Sequence, residues 1–260
     1  MREIISIVNR KGGVGKTVTT HALGAGLALR GYRVLYIDLD SQCNLTFDLA
    51  ANKAQYTALE MLTGTVTAEE AITHTQGGDV IAASPALAGA DTQITGPGNE
   101  YRLKEALEPL HNLYDYILLD TPPALGTLTV NALTASTGVI IPVQADINSI
   151  RGIGLLHEAV QAVQKYTNPA LTVKGILLTR YNGRAILSRD MRDNASEVAG
   201  ELGTMVYSAA IRECIAIKEA EALQTDIYTY APRSNAAADY TAFVSEVLGE
   251  ADTHTAKERK

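Results

Sequence analysis

The sequence predicts an α/β fold, a mostly parallel, twisted sheet with helices on both faces. Three observations predict it. Apolar runs of strand length recur along the chain; several are apolar at nearly every position, as strands covered on both faces are. Helical patterns alternate with these runs over the whole length, the signature of strands joined by right-handed crossovers. Finally, a glycine-rich loop, KGGVGKT, joins the first strand directly to the first helix.

The expected strands are Ile4–Val8, Val34–Ile37, Val80–Ala83, Tyr116–Leu119, Val139–Val143 and Val173–Leu178. The helical patterns cover Thr17–Arg30, Tyr101–Leu113, Ile150–Tyr166, Leu187–Leu202 and Ala236–Leu248. Gly77-Gly78 and Thr95–Asn99 read as surface loops. With 260 residues and no repeat or low-complexity linker, the expectation is one domain over residues 1–250. Residues 251–260, ADTHTAKERK, form a polar tail.

Composition narrows the function classes. The net charge is −7, so no global basic field draws the chain to nucleic acid; any such contact needs a local patch. Cys43 and Cys214 are far apart and form no C-x-x-C, which argues against a disulfide framework, a zinc site or an iron–sulfur site. The first strand begins almost at once, unlike a signal peptide. No apolar stretch approaches the ~18 residues of a membrane span. A cytoplasmic address without membrane partners is expected.

The loop carries the chemistry. The phosphate-binding pattern G-x-x-x-x-G-K-[ST] is met at its end by Gly15, Lys16 and Thr17, but Arg10 stands at its first glycine. Gly12, Gly13 and Gly15 let the backbone turn several N–H groups toward one anion, with Val14 between them. The helix starting near Lys16 points its positive end at the same place. Lys16 can bridge β- and γ-phosphates, and the Thr17 hydroxyl can ligate Mg²⁺. Val18 follows in the first helical turn.

Lys11 specifies the subfamily. N-R-K-G-G-V-G-K-T resembles the deviant Walker A motif of the ParA/MinD class of P-loop ATPases. Asp38-Leu39-Asp40-Ser41-Gln42-Cys43-Asn44 is similar to that family's Asp-x-Asp-Pro-Gln-x-Asn run. Tyr116-Ile117-Leu118-Leu119-Asp120-Thr121-Pro122-Pro123 is similar to its Walker B strand. Ile141–Gln144, Thr179–Arg184, Glu219-Ala220 and Tyr230–Ser234 continue the match in order. The likeness is strongest to the short, Soj-like ParA proteins of plasmid and chromosome partition. It implies a P-loop fold, ATP and Mg²⁺ as ligands, ATP hydrolysis with weak basal activity, and a nucleoid-associated cytoplasmic protein.

The acidic residues divide the work. Asp120 closes an apolar strand, so its carboxylate emerges at the carboxyl edge of the sheet, where ligands bind in open α/β sheets. It is expected to hold Mg²⁺ through water, with Thr17 direct. Asp38 and Asp40 are two residues apart at the end of a neighbouring strand and should not share one role. The resemblance implies that Asp40 positions or activates the attacking water near the metal, while Asp38 supports the site. Ser41 stands where the family has proline, which puts the hydrolysis rate in question more than binding.

Lys11 has no evident task within one subunit. The resemblance implies that it reaches across a two-fold interface onto the partner's ATP, as an arginine finger does, making an ATP-dependent homodimer. A ParB-type centromere-binding protein is the implied partner. Non-specific DNA is the other, contacted through basic residues late in the chain. Between Lys174 and Lys218 there are seven Lys/Arg against five acidic residues. Arg180, Arg184, Arg189, Arg192, Arg212 and Lys218 are the candidates, since phosphate contacts need charge rather than base-reading geometry. The short stretch ahead of the first strand leaves no room there for a helix-turn-helix. Cys43 and His21 are expected to pack rather than react.

Competing readings lose on specific features. A membrane-cycling MinD-like ATPase needs an amphipathic C-terminal helix, and GEADTHTAKERK has no apolar face. A metal-cluster carrier needs interfacial cysteines. A positioning ATPase for a protein cargo would use the same residues, so it stays open beside DNA partition.

Overall fold

The computed structural model describes residues 3–144, 153–182 and 186–250, the last segment without the side chains of 186–191. Eight strands form one sheet: β1 (Glu3–Ile7), β2 (Val34–Asp38), β3 (Ile72–Thr75), β4 (Gly78–Ile81), β5 (Tyr116–Asp120), β6 (Gly138–Gln144), β7 (Thr172–Tyr181) and β8 (Val206–Arg212). Their order is β3-β4-β2-β5-β1-β6-β7-β8. Every pairing is parallel except the β3–β4 hairpin.

The helices are α1 (Lys16–Ala28), α2 (Asn44–Asp48), α3 (Ala58–Leu62), α4 (Ala68–Ala71), α5 (Ala90–Gln93), α6 (Arg102–Leu107) and α7 (Thr127–Ala135). After them come α8 (Ile153–Tyr166), α9 (Ile186–Glu201), α10 (Ile215–Ala222), α11 (Ile227–Tyr230) and α12 (Asn235–Val247). The periodic patterns therefore hold, with one division, and residues 150–152 of the Ile150–Tyr166 pattern lie outside the described residues. The segment expected as a helix over Tyr101–Leu113 is α6 flanked by 3₁₀ turns, the second carrying Pro109, whose missing N–H cannot extend the α ladder.

Burial follows the two-residue period of the strands. In β1, β2 and β5 neighbouring residues go to opposite faces: Ile5, Tyr36 and Leu118 pack under α1 and α12, while Ile4, Leu35 and Ile117 pack under α3 to α7. A third cluster joins β6 and β7 to α8 and α9 through Val139, Ile141, Ile176 and Leu178. Each such fully buried aliphatic side chain contributes about 1.5–3 kcal/mol. The sheet is thereby sealed on both sides, and its carboxyl edge is left for chemistry.

Two strands were silent in the sequence. β3 is a short edge strand hydrogen-bonded only to β4, and the hairpin draws Gly78 out of the expected loop into the ladder. β8 carries Ser208, Ala209 and Ala210 and lacks a continuous apolar run. Its outer N–H groups are taken by α12: Glu246 accepts from Ser208 and Ala209, and Asp239 accepts from the Arg212 N–H at 3.0 Å.

α1 runs through the interior. Gly24 faces the Tyr36 ring so closely that a Cβ there would lie 2.2 Å from it. Three tyrosine hydroxyls end on this helix. Tyr36 donates to the His21 carbonyl, Tyr228 donates to the Ala22 carbonyl, and Tyr240 pairs with the Thr19 hydroxyl. His21 packs edge-on to Tyr36, and its burial pushes the imidazole down to about 4, so it is neutral in the fold. It packs, as expected from the sequence.

Candidate functional site

The loop after β1 is built to be rigid. Gly13 (φ 74°) and Gly15 (φ 87°) adopt left-handed backbone that other residues resist. Gly15 is also the residue from which α1 begins. Neighbouring strands brace the loop: Asn9 Nδ2 donates to the Pro142 carbonyl at 2.7 Å, and Asn9 Oδ1 accepts from the Lys11 N–H at 2.9 Å. From β7, the Thr179 hydroxyl donates to the Val14 carbonyl at 2.8 Å. Carbonyls are thus tied back while the N-terminus of α1 opens onto the space above.

Asp120 and Asp38 end adjacent strands in register, Asp38 opposite Asp120, with Ile7 on the other side. Both carboxylates are fully buried. Thr17 Oγ1 donates to Asp120 Oδ2 at 2.7 Å, and Asp120 Oδ1 is buried without a hydrogen-bond partner among the described residues. Burial first, then the nearby Asp38 charge, holds the Asp120 carboxyl well above the ordinary carboxylate range; Thr17 and Lys16 oppose that shift. A buried, partnerless carboxylate oxygen beside a hydroxyl is an all-oxygen donor set that suits a hard cation such as Mg²⁺.

Lys16 is buried, and burial lowers its pKa while Asp120 and Asp40 pull it back up. The lysine thus stands between two carboxylates at the foot of the cavity. Asp38 does not face it. One oxygen accepts from the Asp40 N–H at 3.0 Å, and the other accepts from the Thr46 N–H and hydroxyl at 2.9 and 2.7 Å. Burial still pushes Asp38 up to about 6 against these bonds. Thr46 is itself tied to the end of β4 by the Ala83 N–H. Asp38 therefore ties the Asp40 loop to the first turn of α2.

Asp40 lies past the end of β2 and turns the other way. It borders the cavity above the loop, and its Oδ1 accepts from the Gln42 N–H at 3.0 Å. Cys43 sits in left-handed backbone (φ 56°) ahead of α2, partly buried and packed against the apolar cluster under α3 to α7.

The cavity over the loop measures 640 Å³ and is bordered by Gly12, Gly13, Gly15, Lys16, Thr17 and Val18, with Asp40 and Pro123. An apolar slot opens off it between Val14, Val18, Ile211, Ile217 and Tyr240. The sequence reading missed this slot. Its walls come from α1, β8, α10 and α12, and no local motif announces residues that meet only in the fold. Asp48 and Glu221, which also border the cavity, were missed for the same reason.

The basic candidates are placed unevenly. Arg180 (φ 49°), Arg212 and Lys218 border the slot. Arg212 is committed to Asp239, with nitrogen–oxygen distances of 2.6 to 3.2 Å. Arg192 donates to the Tyr207 and Ser208 carbonyls and lies 5.3 Å from the Tyr181 ring centre. Arg184 lies outside the described residues, as do the side chain of Arg189 and the 251–260 tail. No described helix is long and apolar enough to cross a membrane.

Comparison with known proteins agrees with this geometry. The family model described as an AAA domain matches residues 2–173. The sporulation initiation inhibitor protein Soj of Bacillus subtilis is 40% identical over 252 residues, 95% of this chain and 98% of that protein. The chromosome partitioning protein ParA of Caulobacter vibrioides is 34% identical, with 98% and 97% covered. A crystal structure of cobyrinic acid a,c-diamide synthase from Mycobacterium smegmatis, with bound ADP and magnesium, superposes with a TM-score of 0.83 at 34% identity, over 95% and 94% of the two chains. The chain belongs to the AAA-domain family of P-loop proteins and, within it, to the ParA/MinD class of ATPases.

Proposed function

We propose that the chain is a partition ATPase, an ATP-dependent dimer switch that binds DNA without sequence preference and segregates plasmid or chromosomal DNA. The Thr17–Asp120 hydrogen bond beneath a glycine loop that carries a second lysine, Lys11, is the observation that carries the reading. The triphosphate lies over Gly12 to Thr17, where backbone N–H groups and Lys16 meet its charge. The adenine enters the apolar slot between Val18, Ile217 and Tyr240. Mg²⁺, when bound, neutralises phosphate charge; Thr17 and Asp120 are the residues that would hold it, with Asp40 near.

Asp40 orients the attacking water, and the Asp38–Thr46 bracket fixes the loop that aims it. Lys11 reaches the partner's nucleotide across the dimer. The switch logic follows: a bound triphosphate completes the interface, and its hydrolysis removes it. Weak basal turnover, stimulated by a ParB-type protein, fits a site that waits for a partner. The identity of this chain to Soj and ParA along almost its full length supports the partition reading over a protein cargo.

Dimerisation doubles a weakly basic surface on an otherwise acidic protein and makes the contact bivalent. DNA binding should therefore require ATP, ignore sequence and fall steeply with salt. Titrating random-sequence duplex at two salt concentrations, with ATP and with ADP, tests this. Equal binding in both nucleotide states removes the switch, and no binding in either favours a protein cargo.

A further inference from the structure

The strap of chain that runs from the end of β4 into α5 touches both acidic-edge loops. At one end the Ala83 N–H donates to the Thr46 hydroxyl at 2.8 Å, and Thr46 is the α2 residue to which Asp38 ties the Asp40 loop. At the other end Asp91 Oδ1 accepts from the Thr127 N–H at 2.9 Å. Thr127 opens α7, and the loop leading into it carries Pro122 and Pro123 on from the end of β5. Pro123 and Asp40 both border the phosphate cavity. A 120 Å³ cleft lies between the two loops, bordered by Ser41, by Pro122 and Ala124, and by Leu87 and Asp91 of the strap.

The strap is anchored along its length. Ala83, Leu87, Ala90 and Ile94 are buried in the apolar cluster under α3 to α7, so Asp91, itself exposed, rises from a fixed base. The loop after β5 needs such a brace. Pro122 and Pro123 have no N–H with which to tie it down. Gly126, the residue ahead of α7, has no side chain to cap the helix, and the capping oxygen comes instead from Asp91, 36 positions away. The approach is close: a Cβ on Gly126 would lie 3.1 Å from Asp91 Oδ1. A carboxylate at this end of α7 is also favoured by the helix dipole.

We propose that Asp91 is a positioning residue for hydrolysis, holding the loop after β5 at a fixed spacing from the Asp40 loop. The inference rests on the ATPase reading of the site. Asp91 acts through Thr127 and the loop ahead of it, which sets the Pro123 wall of the cavity. The strap's two ends bond to α2 and α7, whereas the phosphate loop is braced separately by Asn9 and Thr179. Hydrolysis should therefore depend on Asp91 where nucleotide binding does not. A displacement of about 1 Å in a reacting geometry can slow a reaction by roughly 10²-fold.

The test is single-turnover ATP hydrolysis beside equilibrium ATP binding, both with Mg²⁺, for the full chain and its Asp91→Ala and Asp91→Asn variants. Asp91→Ala should slow hydrolysis about tenfold or more while ATP affinity stays within about twofold of the wild type. Asp91→Asn keeps an oxygen that can accept from the Thr127 N–H, so it should recover most of the lost rate. Retained affinity reports a folded variant, and a role confined to folding would not separate the two readouts. Wild-type hydrolysis in Asp91→Ala overturns the inference. So does a loss of affinity that matches the loss of rate, or an Asp91→Asn variant as slow as the alanine. A wild-type chain that binds no ATP, or binds it without hydrolysis, refutes the ATPase reading itself.

Discussion

Thr17 and Asp120, 103 residues apart, are joined by a 2.7 Å hydrogen bond from the threonine hydroxyl to one carboxylate oxygen, while the other oxygen is buried with no partner among the described residues. The bond ties the first turn of α1 to the end of β5, and so joins the phosphate loop to the acidic edge of the sheet. Lys16, between Asp120 and Asp40, completes a charged floor beneath the cavity. On the function proposed above, ligand binding and hydrolysis rest on different residues, and they should separate by mutation.

Lys16→Ala should abolish ATP binding, because it removes the buried cation that faces the phosphates. Asp40→Ala should leave binding within a few-fold and slow turnover by about 10²-fold or more, the usual scale for a group that positions or activates a nucleophile. Equilibrium binding and phosphate release, measured on both variants, check this. Wild-type turnover in Asp40→Ala would remove the role given to it.

Asp48 makes the nucleotide-free protein sensitive to pH. Its carboxyl is held up to about 8 in the fold by burial, the Glu221 charge and Asp38, but ionises near 4 in the unfolded chain. Between those values the unfolded state alone gains the charge, so stability is lost as pH rises from about 4 to 8. Asparagine keeps the shape and cannot ionise. Asp48→Asn should melt with the wild type near pH 4 and about 2–8 °C higher at pH 8. Identical melting temperatures at pH 8 would show that the carboxyl is not held neutral.

Gly24→Ala tests the packing of α1. Alanine is the better helix former, so propensity alone favours the change by about 1 kcal/mol. The added methyl, however, would sit 2.2 Å from the Tyr36 ring, and overpacking of that kind costs about 1–3 kcal/mol. Net destabilisation, read from denaturant midpoints, is the expected outcome. A stabilised variant would mean the ring moves freely.

The elements that the sequence announced are those whose chemistry is local. Gly15-Lys16-Thr17 after an apolar strand, and Asp120 closing another, need only neighbouring residues to make sense. β8 was hidden because its outer N–H groups are satisfied by Asp239 and Glu246 of α12, leaving its own side chains free of the usual apolar pattern. The abundance of tyrosine had no local explanation either. Tyr36, Tyr228 and Tyr240 come from a strand and two late helices, yet all three hydroxyls fasten α1, which supports the phosphate loop. The apolar slot and the Asp48–Glu221 pair were illegible for the same reason. Arg212, expected at DNA from its charge alone, is clamped by a carboxylate 27 positions away.

The central claim is that ATP builds a dimer through Lys11 and that hydrolysis dissolves it. The most direct measurement is the solution mass of Asp40→Ala with Mg²⁺ and ATP, beside the same protein with ADP and a Lys11→Ala, Asp40→Ala double variant with ATP. The account predicts a dimer in the first sample and monomers in the other two. A monomer in all three, or a dimer that persists without Lys11, would contradict it.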